Sequence, residues 1–497
     1  MSAWTHAALC AALGIGTDAQ ADGTVYTGIS TDTRSIEQGQ VFVALVGEHH
    51  DAHDYLAQAA QAGATAAVVQ RVPAGAPDSI HYYVVEDTLR ALGRLGRFHR
   101  RRMNWTVVAV AGANGKTTTK NLLQAALSPR YRVHATTGNL NNLIGAPLTL
   151  LAAPDGTEVV VSEIGTNMPG EVARLAGIVE PDVAVITSIA AEHLEGLGDI
   201  DGVLREETSV LPWLSARGMA AVPDEPASLA ARARALVPRV VVVGSSNDAD
   251  AAYRAANVRL DDSGAVRFEW QNRTVALQLR GRHNARNALL ALAIASELGV
   301  DTDASIAGLA QLAPAKMRGE FMRYGDMTVI ADCYNANPAS VQAAMDLLVS
   351  LPRGGGRVAV LGTMRELGAE SARLHDETAA EVAASDVDLI VATGEFVAAF
   401  DAHADELGDR LIRQSDPLEA YDRFAGRLRG DEVVLLKGSR GVALERLLPR
   451  FEEKWGVLHP HGEAFGSRAI ETITDERDDA LSAEHPRNTN AHERGKA

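Results

Sequence analysis

One short run constrains this chain more than any other: residues 107–120 read VVAVAGANGKTTTK. The apolar, β-branched stretch over 105–111 predicts a buried strand. Gly112, Asn114 and Gly115 break it, and Lys116 and Thr117 open a helix. Strand, glycine turn and helix start in that order leave backbone N–H groups free at a helix N-terminus, where they can wrap a polyphosphate. Lys116 then reaches the terminal phosphates, and the Thr117 hydroxyl is offered to Mg²⁺. Gly112, Asn114, Gly115, Lys116, Thr117 and Thr118 form the expected nucleotide-binding set. The match to G-x-x-x-x-G-K-[ST] is partial, because the position of its first glycine is held by Val110. A glycine turn without a ligand is the competing reading. Gly-Lys-Thr placed where strand meets helix favours ATP or GTP over it.

A length of 497 residues is enough for about three domains, each with its own core. The chain is 46% hydrophobic and 22% charged, with no apolar run of the ~18 residues a membrane span needs. Its N-terminus, MSAWTHAALCAALG, lacks the basic region of a signal peptide, so the expectation is a cytoplasmic protein without membrane insertion. Cys10 and Cys333 are the only two cysteines, which excludes a disulfide framework, and no Cys/His spacing suits zinc. A formal charge of −17 argues against nucleic acid as partner. Anionic substrates remain possible where Lys, Arg, helix N-termini and Mg²⁺ supply local positive charge.

The expected fold class is α/β in three domains. Residues 1–103 form a first unit with strand-like runs at 41–46 and 66–69, and 94–102 reads as a solvated basic helix face ahead of a linker. Residues 104–312 alternate strand and helix patterns, with strands expected at 158–164 and 182–189 and helices at 171–179 and 282–298. That alternation predicts a central P-loop domain on a parallel sheet, ATPase-like in plan. Residues 313–455 repeat it, with strands at 328–331, 357–361, 388–392 and 432–436, and predict a Rossmann-like domain. Residues 456–497 are polar and charged, and a disordered tail is expected there.

Ligands of open α/β sheets lie beyond the carboxyl ends of the strands. Three successive strand ends would therefore bring Lys116 and Thr117, Glu163, and His193 into one crevice. Thr117 and Glu163 suit a hard cation, and a histidine ligand is less usual. Taken alone, Glu163 reads as a cap or surface carboxylate and His193 as a surface histidine; their shared placement favours function.

With these motifs in place the chain resembles the Mur ligases, ATP-dependent amide-forming enzymes of peptidoglycan precursor synthesis. The resemblance runs from Ser30 to Glu445. It rests on the segment 30–69, on AGANGKTTTK, and on TGNLNNLIGAPLTLL (137–151). SEIGTNMPGE (162–171), AEHLEGLG (191–198), GRHNARNALLA (281–291) and DCYNANPAS (332–340) follow, then LGTMRELG (361–368) and KGSRGVALE (437–445). NLNN and YNANP resemble the branch whose incoming amine is a D-alanyl-D-alanine dipeptide.

The resemblance implies a first domain that holds a UDP-sugar and a ligation of D-alanyl-D-alanine to UDP-N-acetylmuramoyl-tripeptide, using ATP and Mg²⁺, by a monomer. It places Asn284 and Asn287 near the base, Asp332 near the ribose, Arg318 facing the phosphates, and Asn335 and Asn337 on the same face. Lys437 and Arg440 divide evenly between a site role and a solvated loop. Several departures stand out: Asp51-Ala52-His53 for Asp-Gly-His, Gly362-Thr363-Met364 for Gly-Asp-Met, and Met317-Arg318 for Gly-Arg. The family also carries a CO₂-carbamylated lysine fourteen residues after the histidine, and here that position is Glu207. A built-in carboxylate independent of CO₂ is the expectation. It would join Thr117, Glu163 and His193 at the metal, with Lys116, Glu163, His193, Arg318 and Glu207 as the catalytic group. Two alternatives stay open: a sibling ligase that adds one amino acid, and an impaired nucleotide-binding relative.

Overall fold

The computed structural model describes residues 3–17, 23–352 and 354–456. The expected tail lies outside the described residues, Gly456 excepted. Among the described residues two compact units form, one ending at His99 and the other starting at Arg100.

In the first unit a four-stranded parallel sheet takes Ile29–Ser30, Val41–Val43, Ala66–Val69 and His81–Val84 in chain order. Val41–Val43 and Ala66–Val69 are apolar and buried throughout, as parallel strands covered on both faces must be. A short antiparallel ribbon pairs Trp4–Thr5 with Val25–Tyr26. The Asp51-Ala52-His53 turn is tied down locally. The Asp51 carboxylate accepts from the His53 N–H and from Arg71, and its Oδ1 lies 2.5 Å from the His53 ring.

The second unit contains two six-stranded sheets. In the first of them all strands are parallel, in the spatial order Val240–Val243, Met219–Pro223, Val183–Ile186, Thr106–Ala111, Val159–Glu163, Val133–Ala135. Thr106–Ala111 sits where the winding reverses, with later strands on both sides of it. Its carboxyl end is therefore the place where such a sheet leaves a crevice. The helix Lys116–Leu127 follows directly and packs into the same core as the helix His283–Glu297.

An antiparallel meander, Ala256–Leu260, Ala265–Trp270 and Arg273–Arg280, is a feature the sequence reading does not anticipate. Its inner positions Val266, Phe268, Trp270, Val275 and Leu277 are buried while the residues between them face outward, the period-2 pattern of a half-buried sheet. The other six-stranded sheet runs Glu320–Tyr324, Met327–Asp332, Val433–Lys437, Arg357–Leu361, Leu389–Ala392, Leu411–Arg413. Only its first pair is antiparallel.

The expected strand at 182–189 is shorter, Val183–Ile186. Thr187 and Ser188 run on past the strand and bind the loop at 112–115 through backbone and side chain: Thr187 N donates to Ala111 O, Thr187 Oγ1 donates to Asn114 O, and Ser188 Oγ accepts from Asn114 N. The basic stretch 94–102 lies within the helix Thr88–Arg102, where Arg100 spends its charge on Asp182 and the Glu180 carbonyl. Among the described residues no helix is long and apolar enough to cross a membrane.

Candidate active site

The loop after Thr106–Ala111 is shaped by two glycines for separate reasons. Gly112 has φ +117°, and a Cβ there would fall 2.4 Å from Thr187 Oγ1 and 2.6 Å from Thr187 N. Gly115 has φ +86°, and a Cβ would meet Asn287 Oδ1 at 2.9 Å. Both conformations lie where side chains are strained, and both positions lack space. Gly115 is also the N-cap of Lys116–Leu127 and supplies no side-chain acceptor, so the first-turn N–H groups are left for a ligand. Ala113 N donates to Ser188 O, which with the Thr187 and Ser188 side chains pins the loop to the neighbouring strand end.

Lys116 is folded back across this loop. Its Nζ donates to Gly112 O at 2.5 Å and Ala113 O at 3.0 Å, and reaches Glu192 Oε1 at 3.4 Å. Burial works against its charge, but Glu192, Glu207 and Glu163 together outweigh burial and hold the ammonium above its usual range. The loop's carbonyls and these carboxylates therefore keep a cation in place.

Glu163 ends its strand, buried. Its Oε1 accepts from Thr117 Oγ1 at 3.2 Å and from Asn141 Nδ2 at 3.0 Å, while Oε2 has no protein partner. Glu192 has a similar orphan, Oε2. Buried carboxylate oxygens without partners are costly unless something else occupies them. A Mg²⁺ that keeps water and phosphate oxygens, and takes one or two carboxylates from protein, fits this donor set. Among the described residues no three His, Cys, Asp or Glu side chains converge as a metal-holding group. Thr117, Glu163, His193 and Glu207 thus do not close into a protein-only ligand set.

Glu207 faces the loop's backbone. It is 1% exposed, and its Oε2 accepts from Gly112 N at 2.6 Å, so the carboxylate is committed to the phosphate loop's backbone. Burial pushes its carboxyl up to about 7; Lys116 opposes the shift and Glu192 adds to it. Its neighbour Glu206 is turned elsewhere, accepting from Gly170 N and Val172 N.

His193 follows with φ +53°, a left-handed conformation at the cap of Leu194–Leu197. Its Nε2 lies 3.9 Å from Glu192 Oε1, and its Nδ1 lies 2.5 Å from Glu366 Oε2, in the loop after Arg357–Leu361. The sequence reading names His193 and passes over Glu192 and Glu366. Glu192 had a signal, a second acidic residue beside the histidine after a strand, whereas Glu366 had none within its own segment.

The later motifs gather around the facing sheet, apart from Asn284 and Asn287, which sit on the helix His283–Glu297. Asp332 Oδ2 pairs with Lys437 Nζ at 2.9 Å, and Lys437 also donates to Asn335 O. The Arg318 guanidinium stacks 4.0 Å over the Tyr334 ring. Asn337 N-caps the helix Pro338–Ser350 in a capping box with Ser340, and exchanges two amide hydrogen bonds with Asn114, 3.1 and 3.0 Å. Asn287 lies against Gly115 and donates to Asn284 Oδ1. Thr118 is half-buried in the first turn. A cleft of about 370 Å³ opens on the opposite face of that asparagine-bearing helix, by Arg282, Arg286 and Asp224; it contains none of the loop residues.

Residues 110–295 match the Mur ligase middle domain, and residues 317–440 match the Mur ligase glutamate ligase domain. The UDP-N-acetylmuramoyl-tripeptide–D-alanyl-D-alanine ligase of Bacillus subtilis (strain 168) is 34% identical over 437 residues, 86% of this chain and 94% of its own. The chain belongs to the Mur ligase family. The Escherichia coli (strain K12) ligase of the same name is 34% identical over 432 residues, covering 86% of this Mur ligase and 93% of that protein. Two solved structures are also similar. MurF from Acinetobacter baumannii superposes with a TM-score of 0.81 at 32% identity, over 91% of this Mur ligase and 100% of that chain. MurF from Thermotoga maritima in complex with ADP gives 0.75 at 27%, over 86% and 97%. This Mur ligase is thus an ATP-dependent peptide ligase of the MurF kind.

Proposed function

We infer that this enzyme joins D-alanyl-D-alanine to UDP-N-acetylmuramoyl-tripeptide at the expense of ATP, in the synthesis of peptidoglycan precursors. The observation that carries the reading is the loop 112–117, whose partly buried lysine sits among three carboxylates at a sheet's switch point, in a chain similar to D-alanyl-D-alanine ligases over 86% of its length. The tripeptide's terminal carboxylate takes the γ-phosphoryl group and becomes an acyl phosphate. The dipeptide's free amine then attacks the carbonyl, and phosphate leaves from the tetrahedral intermediate. When bound at Thr117 and Glu163, Mg²⁺ supplies positive charge between the reacting anions.

The chain's own residues do the rest. Lys116 exchanges its loop carbonyls for phosphate oxygens and brings its charge to the transferring group. Uncapped N–H groups at the start of Lys116–Leu127 hold the remaining phosphate charge. Glu207 keeps Gly112 in the conformation that aims them, a role that needs no CO₂. Asn284, Asn287, Asp332 and Arg318 bind the nucleotide across the two sheets, and the segment 30–69 holds the UDP-sugar. The enzyme acts as a cytoplasmic monomer.

Phosphate release with ATP, Mg²⁺ and UDP-N-acetylmuramoyl-tripeptide, in CO₂-depleted buffer, tests this. Release that requires D-alanyl-D-alanine is expected. Release with single amino acids but not the dipeptide, or none with either, would overturn it.

A further inference from the structure

Two non-glycine residues in the left-handed region meet where the two six-stranded sheets face one another: His193 at φ +53° and Glu366 at φ +65°. Such backbone costs roughly 1 kcal/mol for an ordinary side chain, and a residue kept there is usually kept for what its side chain does. Here the side chains touch, Nδ1 to Oε2 at 2.5 Å. The two backbones are joined as well, Glu195 N donating to Glu366 O at 3.1 Å. Gly368, at φ +57°, lets the loop approach so closely that a Cβ would fall 2.9 Å from Glu195 Cα.

Both partners are mounted rigidly. Leu194 and Leu197 are buried in the core that also contains Met364 and Leu367. On the other side Met364 N donates to His375 Nε2, and Arg365 N donates to Ser439 Oγ. The His193 Nδ1 therefore lies in charge-pair contact with a carboxylate from the loop after Arg357–Leu361, without hydrogen-bond geometry, while Nε2 looks toward Glu192, the carboxylate that Lys116 reaches. A carboxylate beside one ring nitrogen favours a proton on that nitrogen and biases the direction in which the other one faces.

We propose that Glu366 is a positioning residue for His193, and that the phosphate site is complete only while the Glu366 loop is docked against the segment 193–197. The proposal rests on the ligase reading for the identity of that site. The electrostatics agree. Burial disfavours a charged His193, and Glu366 and Glu192 reverse that and raise its pKa, while His193 holds Glu366 below the usual carboxylate range.

Glu366→Gly in the full chain is the decisive variant, because glycine relaxes the left-handed backbone while deleting the carboxylate. We expect an unfolding temperature no lower than wild type, a kcat down about 10–100-fold, and an ADP dissociation constant with Mg²⁺ raised about tenfold. ADP binding without Mg²⁺ should not change. Glu366→Gln, which keeps an acceptor for Nδ1–H, should recover part of the loss. Wild-type kcat and Mg²⁺–ADP affinity in Glu366→Gly would overturn the proposal, and so would activity falling in step with unfolding temperature. A wild-type enzyme that releases no phosphate would refute the ligase reading alone, since the Mg²⁺–ADP comparison still decides the role of Glu366.

Discussion

Replacing Glu207 by Gln should make the ligand-free protein more stable in mild alkali and poorer at its reaction. The carboxyl is buried and displaced from its ordinary 4.5 to about 7, burial being the main cause. Between those two values the native protein binds a proton that the unfolded chain has released, so stability falls as pH rises through that window. Above it the ionised carboxylate costs about 3 kcal/mol relative to a neutral group in the same place, at ~1.4 kcal/mol per pKa step. Glutamine keeps an acceptor for the Gly112 N–H and removes the charge. Calorimetry in EDTA should show the variant gaining up to about 3 kcal/mol near pH 8.5, and under about 1 kcal/mol near pH 5. At ~2–4 °C per kcal/mol the alkaline gain is about 6–12 °C in Tm. Phosphate release should meanwhile fall at least about tenfold, because Lys116 loses one of the carboxylates that hold it and the loop loses its charged anchor. A Tm difference independent of pH, or a variant less stable at pH ~8.5, would refute the reasoning.

Gly112→Ala should lower stability by about 2–4 kcal/mol and abolish ADP binding, since the new methyl meets the Thr187 backbone in a left-handed conformation; unfolding and calorimetric titration check both. Lys116→Ala should cut turnover by more than about 100-fold with an unchanged circular dichroism spectrum. Asn337→Ala removes a helix cap and should cost about 1 kcal/mol in thermal unfolding. Asp51 is lowered to about 2: burial would raise it, but hydrogen bonds from His53 and Arg71 win. Its contribution is present above pH ~4 and lost as pH falls through ~2. With a partly exposed carboxylate, Asp51→Asn should cost about 1 kcal/mol at neutral pH and nothing at pH ~2 in an acid titration.

Much of the fold was legible because parallel strands buried on both faces write themselves as continuous apolar runs. Thr106–Ala111, Val159–Glu163 and Arg357–Leu361 are such runs. The meander was harder: its residues alternate with charges, as in VRFEW and TVALQLR, and a search for βα alternation passes over them. Glycines and lysine of the phosphate loop are adjacent in sequence, and so were found together. Glu207 was reached only by counting from His193, and its bond to Gly112 spans 95 positions. Glu366 lies further still from its partner, and nothing in LGTMRELG says which histidine it will meet.

The two sheets of the second unit are joined by seams of different physical kind. One is the neutral amide pair of Asn114 and Asn337, two hydrogen bonds with no net charge. The other adds a charge pair, His193 with a Glu366 whose side chain is 50% exposed, to a backbone bond and an apolar contact. Added salt shortens the screening length from about 10 Å at 0.1 M to about 3 Å at 1 M, which weakens the charge pair and leaves the amide pair nearly untouched. Ionic strength therefore acts on this enzyme as a selective solvent handle, weakening the charge pair of that joint while the Glu195–Glu366 backbone bond, the buried Leu194 and Leu197 and the amide pair keep its register.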